Sequence, residues 1–308
     1  MKGFLFYFFY AFIWLLTLLP LRILYLISDF LYLLNLYVIR YRKKVIEKNL
    51  RNAFPEKSEK ERRKIMKKFY RHFCDMIIEI VKIINFHPKN HAKRFRFKNL
   101  SLWNKYYLKR ESAIIVSGHY GNWEWASRLP SVSPHKYYVT YQKLKNKRFD
   151  KLVNKIRKRY GVNTVLMQRT YKTVTKAIQK DEFFAIWLLF DQAPPKKHPN
   201  WTMFLNQPTQ FYNGAEKMAR KYNLKVIWLE IDKIKRGHYQ ASFRELIDEP
   251  QKTKPGEITK AVANALENQI RRRPEFWLWS HNRWKHLNLE RAKELKEKIA
   301  GQANDPDL

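Results

Sequence analysis

The chain is short of cysteine, glycine and acid. Cys74 is the one cysteine in 308 residues, which excludes an intrachain disulfide and any metal site built on cysteine. It lies in FCDMIIEIV, an apolar helical stretch, and reads as a buried small hydrophobe. Only eight glycines are present, so a pair placed close together calls for a reason. Asp and Glu total 27 against 62 Lys and Arg, a formal net charge of +35. Self-repulsion of that size opposes compaction. Polyanions are the partners that offset it: nucleic acid, anionic lipid or an acidic protein. The chain has no internal repeat, no low-complexity linker and no recognisable nucleic-acid motif. Its basic residues run along the whole length, so no specific nucleic-acid partner is expected.

What the chain has in abundance is apolar sequence near its start. Phe4 to Leu21, FLFYFFYAFIWLLTLLPL, is 18 residues without a charge. As one helix it would cover roughly 27 Å, close to the hydrocarbon thickness of a bilayer. A cleaved signal peptide would end in small residues. Here Pro20, Leu21 and Arg22 lead instead into a second apolar run, ILYLISDFLYLLNLYVI, interrupted only by Asp29. The expectation is a retained membrane anchor over residues 1–40, followed by a catalytic domain over 41–308. Either the first run spans and the second lies at the interface, or both sit in one leaflet. Residues 41–72 then hold 13 Lys/Arg and four acidic residues, whereas only Lys2 precedes the apolar run. The positive-inside rule puts everything after residue 40 in the cytoplasm.

Beyond the anchor, Glu56–Phe86 reads as one long helix. The expected strands are 113–117, 137–141, 164–167, 183–190, 225–231 and 239–243, with helices at 122–129, 146–160, 170–180, 212–222 and 257–272. Such alternation predicts an α/β sheet covered by helices. The runs 183–190 and 225–231 are apolar throughout, as central strands buried on both faces are. DKIKRGH joins the last two strands, so at least one antiparallel pair is expected and the sheet is mixed. The terminal AKELKEKIAGQANDPDL reads as a charged helix that frays into a tail.

SGHYGNWEW, Ser117 to Trp125, holds two of the glycines around a single histidine. AIIVS is a strand, and Asn122 can cap a helix that begins WEWAS. His119 therefore falls in a strand-to-helix loop, where ligands bind in open α/β sheets. Gly118 and Gly121 let the backbone bend and a substrate approach. Glu124 follows His119 at a spacing that the loop can fold back onto the imidazole. A neutral imidazole can take a proton from an alcohol. A carboxylate on its other nitrogen fixes the tautomer and stabilises the imidazolium. The alcohol can then attack a thioester directly. A metal site is not expected, because the His-Glu-x-x-His pattern is missing.

SGHYGNWEWAS resembles the catalytic motif of the bacterial lipid A biosynthesis acyltransferases, the late lauroyl/myristoyl transferases. RYRKKVIEKNLRNAFPEKS (40–58) is similar to the segment that follows the family's anchor. DQAPPKKHPNWTMFLNQPTQFYNGAEKMARKYN (191–223) is similar to its Asp-Gln block, and PEFWLWSHNRWK (274–285) to its closing Trp-rich element. The likeness covers nearly the whole chain in order. One departure is Pro194, Pro195 and a Lys pair after Asp191-Gln192, where relatives often carry Gly. The resemblance implies an αβα sandwich like that of the glycerolipid acyltransferases. It also implies acyl transfer from acyl carrier protein to a hydroxyl of a lipid A precursor, an anionic acceptor, at the cytoplasmic face of the bacterial inner membrane, with no cofactor. His119 would be the base and Glu124 its partner. Arg157, or else Arg148, would hold developing negative charge or a substrate phosphate. Asp191 and Gln192 would orient Arg157 or bind the acceptor, beside Gly118 and Asn122. Glycerolipid acyltransferases typically show His-x4-Asp, so Glu124 leans toward the lipid A branch; an amino-acid lipid or glycerolipid acceptor stays open. Histidines 72, 87, 91, 135, 198 and 286 read mostly as exposed, and His281 as part of an interfacial lip.

Overall fold

The computed structural model describes residues 2–196, 200–287, 290 and 292–297. His198 and the end of the expected tail lie outside the described residues; 292–297 are helical. The chain opens with α1 (Lys2–Leu16), α2 (Leu21–Leu34, continued by a π-helical turn at Asn35–Ile39), α3 (Lys43–Ala53) and α4 (Glu59–Lys82). Next come α5 (Pro88–Arg94), β1 (Phe95–Lys98), α6 (Leu100–Leu108), β2 (Ala113–Ser117) and a 3-10 helix at Trp123–Ser131. β3 (Lys136–Tyr141), α7 (Lys147–Lys158), β4 (Asn163–Leu166), α8 (Thr170–Gln179) and β5 (Phe184–Leu189) follow. The last part holds β6 (Trp201–Phe204), β7 (Gln207–Gln210), α9 (Gly214–Tyr222), β8 (Lys225–Lys235), β9 (His238–Ile247) and α10 (Glu257–Arg272).

Seven strands form one sheet in the order β1-β9-β8-β2-β5-β3-β4, and β6 with β7 make a separate hairpin. All neighbours in the large sheet are parallel except β8 and β9. The sheet is mixed and mostly parallel, as expected. Successive side chains of a strand point to opposite faces, and here both faces are covered. Ile114, Val116, Ile186, Val226 and Trp228 pack with α3, α4, α9 and α10 on one side. Ala113, Ile115, Ala185, Trp187, Ile227 and Leu229 pack with α2, α6 and α7 on the other. The result is a helix–sheet–helix sandwich.

The first apolar run, 4–21, is not the one continuous helix that the first of the two expected geometries requires. α1 stops at Leu16, and at 15 residues it covers about 22 Å. Pro20 explains the break, since it lacks an N–H donor and disfavours helix in the residue before it. Among the described residues, the helix long and apolar enough to cross a membrane is the second, Leu21–Ile39. That helix is also keyed to the body. Ser28 donates to Asp75 at 2.8 Å and Tyr25 to Glu79 at 2.9 Å, both on α4. Arg236, in the β8–β9 turn, bridges Asp29 and Asp75.

Candidate active site

β2 and β5 are adjacent and parallel, with Ser117 opposite Leu189. Two residues further along each strand stand His119 and Asp191, so the register alone brings them side by side. His119 Nδ1 lies 2.6 Å from Asp191 Oδ1, and the His119 backbone N–H donates to Oδ2 at 2.9 Å. The indole of Trp277 donates to the same Oδ2 at 2.7 Å. Burial alone would raise the pKa of Asp191. The charge and hydrogen bonds of His119, with help from Trp277, outweigh it and hold the carboxyl well below its usual range. With Nδ1–H directed at a carboxylate, Nε2 carries the lone pair. Gln192 places its amide nitrogen 3.2 Å from Nε2, and the ring stands edge-on to Trp123 at 5.0 Å.

The partner on the ring nitrogen is therefore Asp191, not Glu124. Glu124 lies in the first turn of the 3-10 helix, which Asn122 caps through Oδ1 and the Trp125 N–H at 3.2 Å. From there the carboxylate meets Arg157 of α7. Arg157 Nε donates to Oε2 at 2.8 Å and Nη2 to Oε1, a two-pronged pair that is mostly buried. Burial pushes the Glu124 carboxyl up, but the Arg157 charge and hydrogen bonds prevail and keep it below the ordinary value. Arg157 thus takes its carboxylate from Glu124 and not from Asp191, for which orienting Arg157 was one of two expected roles.

The loop is clamped from below. Gly121 has φ +61, a conformation that L side chains rarely adopt, and a Cβ there would stand 3.2 Å from Ile231. Its N–H donates to Phe276 O at 3.0 Å, and Leu278 N–H donates to His119 O at 3.1 Å. At Gly118 a Cβ would come 2.6 Å from the Leu266 side chain on α10. These glycines serve close packing of the loop, and Gly118 is outside the pocket lining. Trp277, Trp279 and Trp284 are buried. The closing element is a structural clamp and not a lip against lipid; His281, itself buried enough to have its pKa lowered to about 4, accepts from Ala193 N–H at 3.0 Å.

Asn122 was expected at the substrate, but it is fully buried and donates to Glu79 Oε2 at 2.7 Å. Glu79 also accepts from Tyr239 at 2.7 Å and from Tyr25, and its carbonyl accepts from Trp125 at 2.9 Å. Beside it, His72 Nε2 is 3.2 Å from Gly121 O. His72, His91 and His135 are thus buried rather than exposed. Arg148 is exposed on the first turn of α7 and does not line the pocket.

His119 and Gln192 open into a pocket of about 390 Å³ at the carboxyl ends of β2, β3 and β5. Tyr141, Lys143, Leu144, Lys145, Met167 and Arg157 line its other walls. Its surface is thus mixed, with cationic groups beside apolar side chains. Among the described residues no three His, Cys, Asp or Glu side chains group as a metal site requires. An imidazole fixed at one nitrogen, with the other facing such a pocket, is equipped to remove a proton from a bound hydroxyl.

The family model for the bacterial lipid A biosynthesis acyltransferases matches residues 1–286. The chain is similar to the lipid A biosynthesis palmitoleoyltransferase of Escherichia coli (strain K12), 21% identical over 252 residues, 80% of each chain. It is equally similar to the lipid A biosynthesis acyltransferase of Shigella flexneri, at the same identity and coverage. The chain belongs to the bacterial lipid A biosynthesis acyltransferases and is an acyltransferase.

Proposed function

We propose that the protein moves a fatty acyl group from acyl carrier protein to a hydroxyl of a lipid A precursor, with His119 as general base. The observation that carries this reading is His119 itself: Nδ1 is held by Asp191, and the imidazole lines the pocket beside Gln192. In this mechanism Nε2 takes the hydroxyl proton as the oxygen attacks the thioester carbonyl. The tetrahedral intermediate collapses, the C–S bond breaks, and the thiolate leaves with the proton from the imidazolium. Asp191 stays ionised throughout and stabilises the imidazolium that forms. Arg157 lines the pocket with Glu124 on Nε and Nη2, and its remaining nitrogen is the donor for the developing oxyanion. In this reading Glu124 acts through Arg157. Lys143 and Lys145 meet the phosphates of the acceptor or the acidic surface of the carrier protein.

The charge bias after residue 40 supports a pocket on the cytoplasmic side of the inner membrane. Purified protein, carrier protein charged with a radiolabelled acyl chain and a lipid A precursor should give a labelled acylated lipid. Glycerolipid and amino-acid-lipid acceptors run in parallel should give none. His119→Ala should lower the rate by about 10²–10⁴-fold while the protein stays folded. Undiminished turnover by His119→Ala would remove the proposed base.

A further inference from the structure

α7 separates two cavities. Its Asp150, Val153 and Arg157 face the His119 pocket. Lys151, Leu152, Lys155, Ile156 and Lys158 face a second groove, of about 710 Å³, between α7 and α1. Only Asn154 lines both. The lining of the second groove divides by chemistry. Tyr10 and Trp14 of α1, Ile83 and Ile84 after α4, and Leu152 and Ile156 of α7 make an apolar floor. Lys151, Lys155 and Lys158 stand above it at a spacing that puts them on one side of the helix. All three are exposed, and among the described residues none has a carboxylate partner. Arg159 also lines the groove, but its Nη1 donates to the Ile83 and Ile84 carbonyls and ties α7 to the floor.

We propose that this groove holds one anionic membrane phospholipid, which is not a reactant. The three ammonium groups take the phosphate, and the floor takes the start of an acyl chain. The remainder of the chain leaves along the exposed apolar side of α1, where Tyr7, one helical repeat from Trp14, continues the surface. A free phosphate would leave the floor wet, and a neutral lipid would leave three cations unmatched. The ligand that satisfies both halves is amphiphilic and anionic. The assignment does not depend on the acyl-transfer reading, because it concerns binding on the opposite side of α7 from His119.

Native mass spectrometry of the full chain in detergent tests it, with phosphatidylglycerol and phosphatidylcholine of identical chains as probes. The wild type should retain one phosphatidylglycerol, with about ten-fold higher occupancy than phosphatidylcholine. Lys155→Glu with Lys158→Glu should abolish that preference. Lys64→Glu with Lys68→Glu, an equal charge change on exposed residues of α4, should leave it intact. Trp14→Ala should lower retention of both lipids. Equal loss from the two charge reversals would reduce the effect to net charge and overturn the proposal. Displacement by millimolar inorganic phosphate alone would also overturn it, since the floor would then contribute nothing. So would one-for-one displacement by a lipid A precursor, which would make the groove part of the acceptor site.

Discussion

Asp191 grips His119 twice, through Oδ1 on the ring Nδ1 at 2.6 Å and through Oδ2 on the backbone N–H at 2.9 Å. One carboxylate thereby fixes both the tautomer of the imidazole and the position of the loop that carries it. Asp191→Asn keeps the shape but removes the charge, and an amide nitrogen facing Nδ1 favours the wrong tautomer. Turnover should fall on the order of 10²–10⁴-fold in a protein that still folds. Trp277→Phe, which removes only the third hydrogen bond to this carboxylate, should cost far less. Steady-state acyl-transfer rates of the two variants check the ranking.

Glu124 and Arg157 form a mostly buried pair, so removing either leaves a charge without its partner. Glu124→Ala and Arg157→Ala should each destabilise by roughly 3 kcal/mol, and the double variant by clearly less than the sum. Chemical denaturation of the four proteins gives this coupling. The same cycle read in activity separates two roles for Glu124. If it acts through Arg157, Glu124→Ala should change turnover little in the Arg157→Ala background. A further large loss in that background would restore a direct action on His119.

Glu79 gives a pH-dependent signature. Burial is the largest influence and raises its pKa, with Lys233 and the hydrogen-bond donors opposing it only in part. From the ordinary glutamate value of 4.5 up to the raised folded value, the folded protein holds a proton that the unfolded chain has lost. Stability from this residue is thus complete below that window and declines as pH rises through it. Glu79→Gln cannot ionise. Its melting temperature relative to wild type should move upward as pH is raised across the window, whatever its offset at low pH. Calorimetry at a series of pH values would show this trend or its absence.

Gly121→Ala should destabilise by about 1–2 kcal/mol, because φ is +61 and Ile231 crowds the new methyl. Gly214→Ala is the matched control. Its added methyl meets nothing within 4 Å at the start of α9, and replacing a helical glycine should be neutral or mildly stabilising. Thermal unfolding of both variants tests the contrast.

The strands that build the centre of the sheet were legible because their apolar runs are long and bounded. β2, β3, β5, β8 and β9 fall within a few residues of expectation. β1, FRFK, was missed because its charges hide a four-residue edge strand. The β6–β7 hairpin was missed because Pro208 and two glutamines break the usual strand pattern. His119 was visible from its flanking glycines, whereas its partner was not. Glu124 is near in sequence, but Asp191 is near in space, and only the pairing of β2 with β5 reveals this. Those strands are neighbours across a gap of more than sixty residues. A parallel pair ending at Ser117 and Leu189 carries that information, and no local motif does. Trp277 escaped for a related reason, since an indole in a Trp-rich segment reads as an aromatic surface until its N–H is seen to have a buried target.

The seam joining α2 to the body, through Tyr25, Ser28 and Asp29, has a mechanical consequence. A flexible leash would let the enzyme tumble beneath the lipid and present its opening at any angle. Side chains locked across the joint make the apolar helix and the sheet turn together, like a key and its bow. Whatever depth that helix adopts, the elevation and tilt of the opening follow from it. Under the proposed acyl transfer, which hydroxyls come within range is then decided when the polypeptide folds, before any lipid arrives.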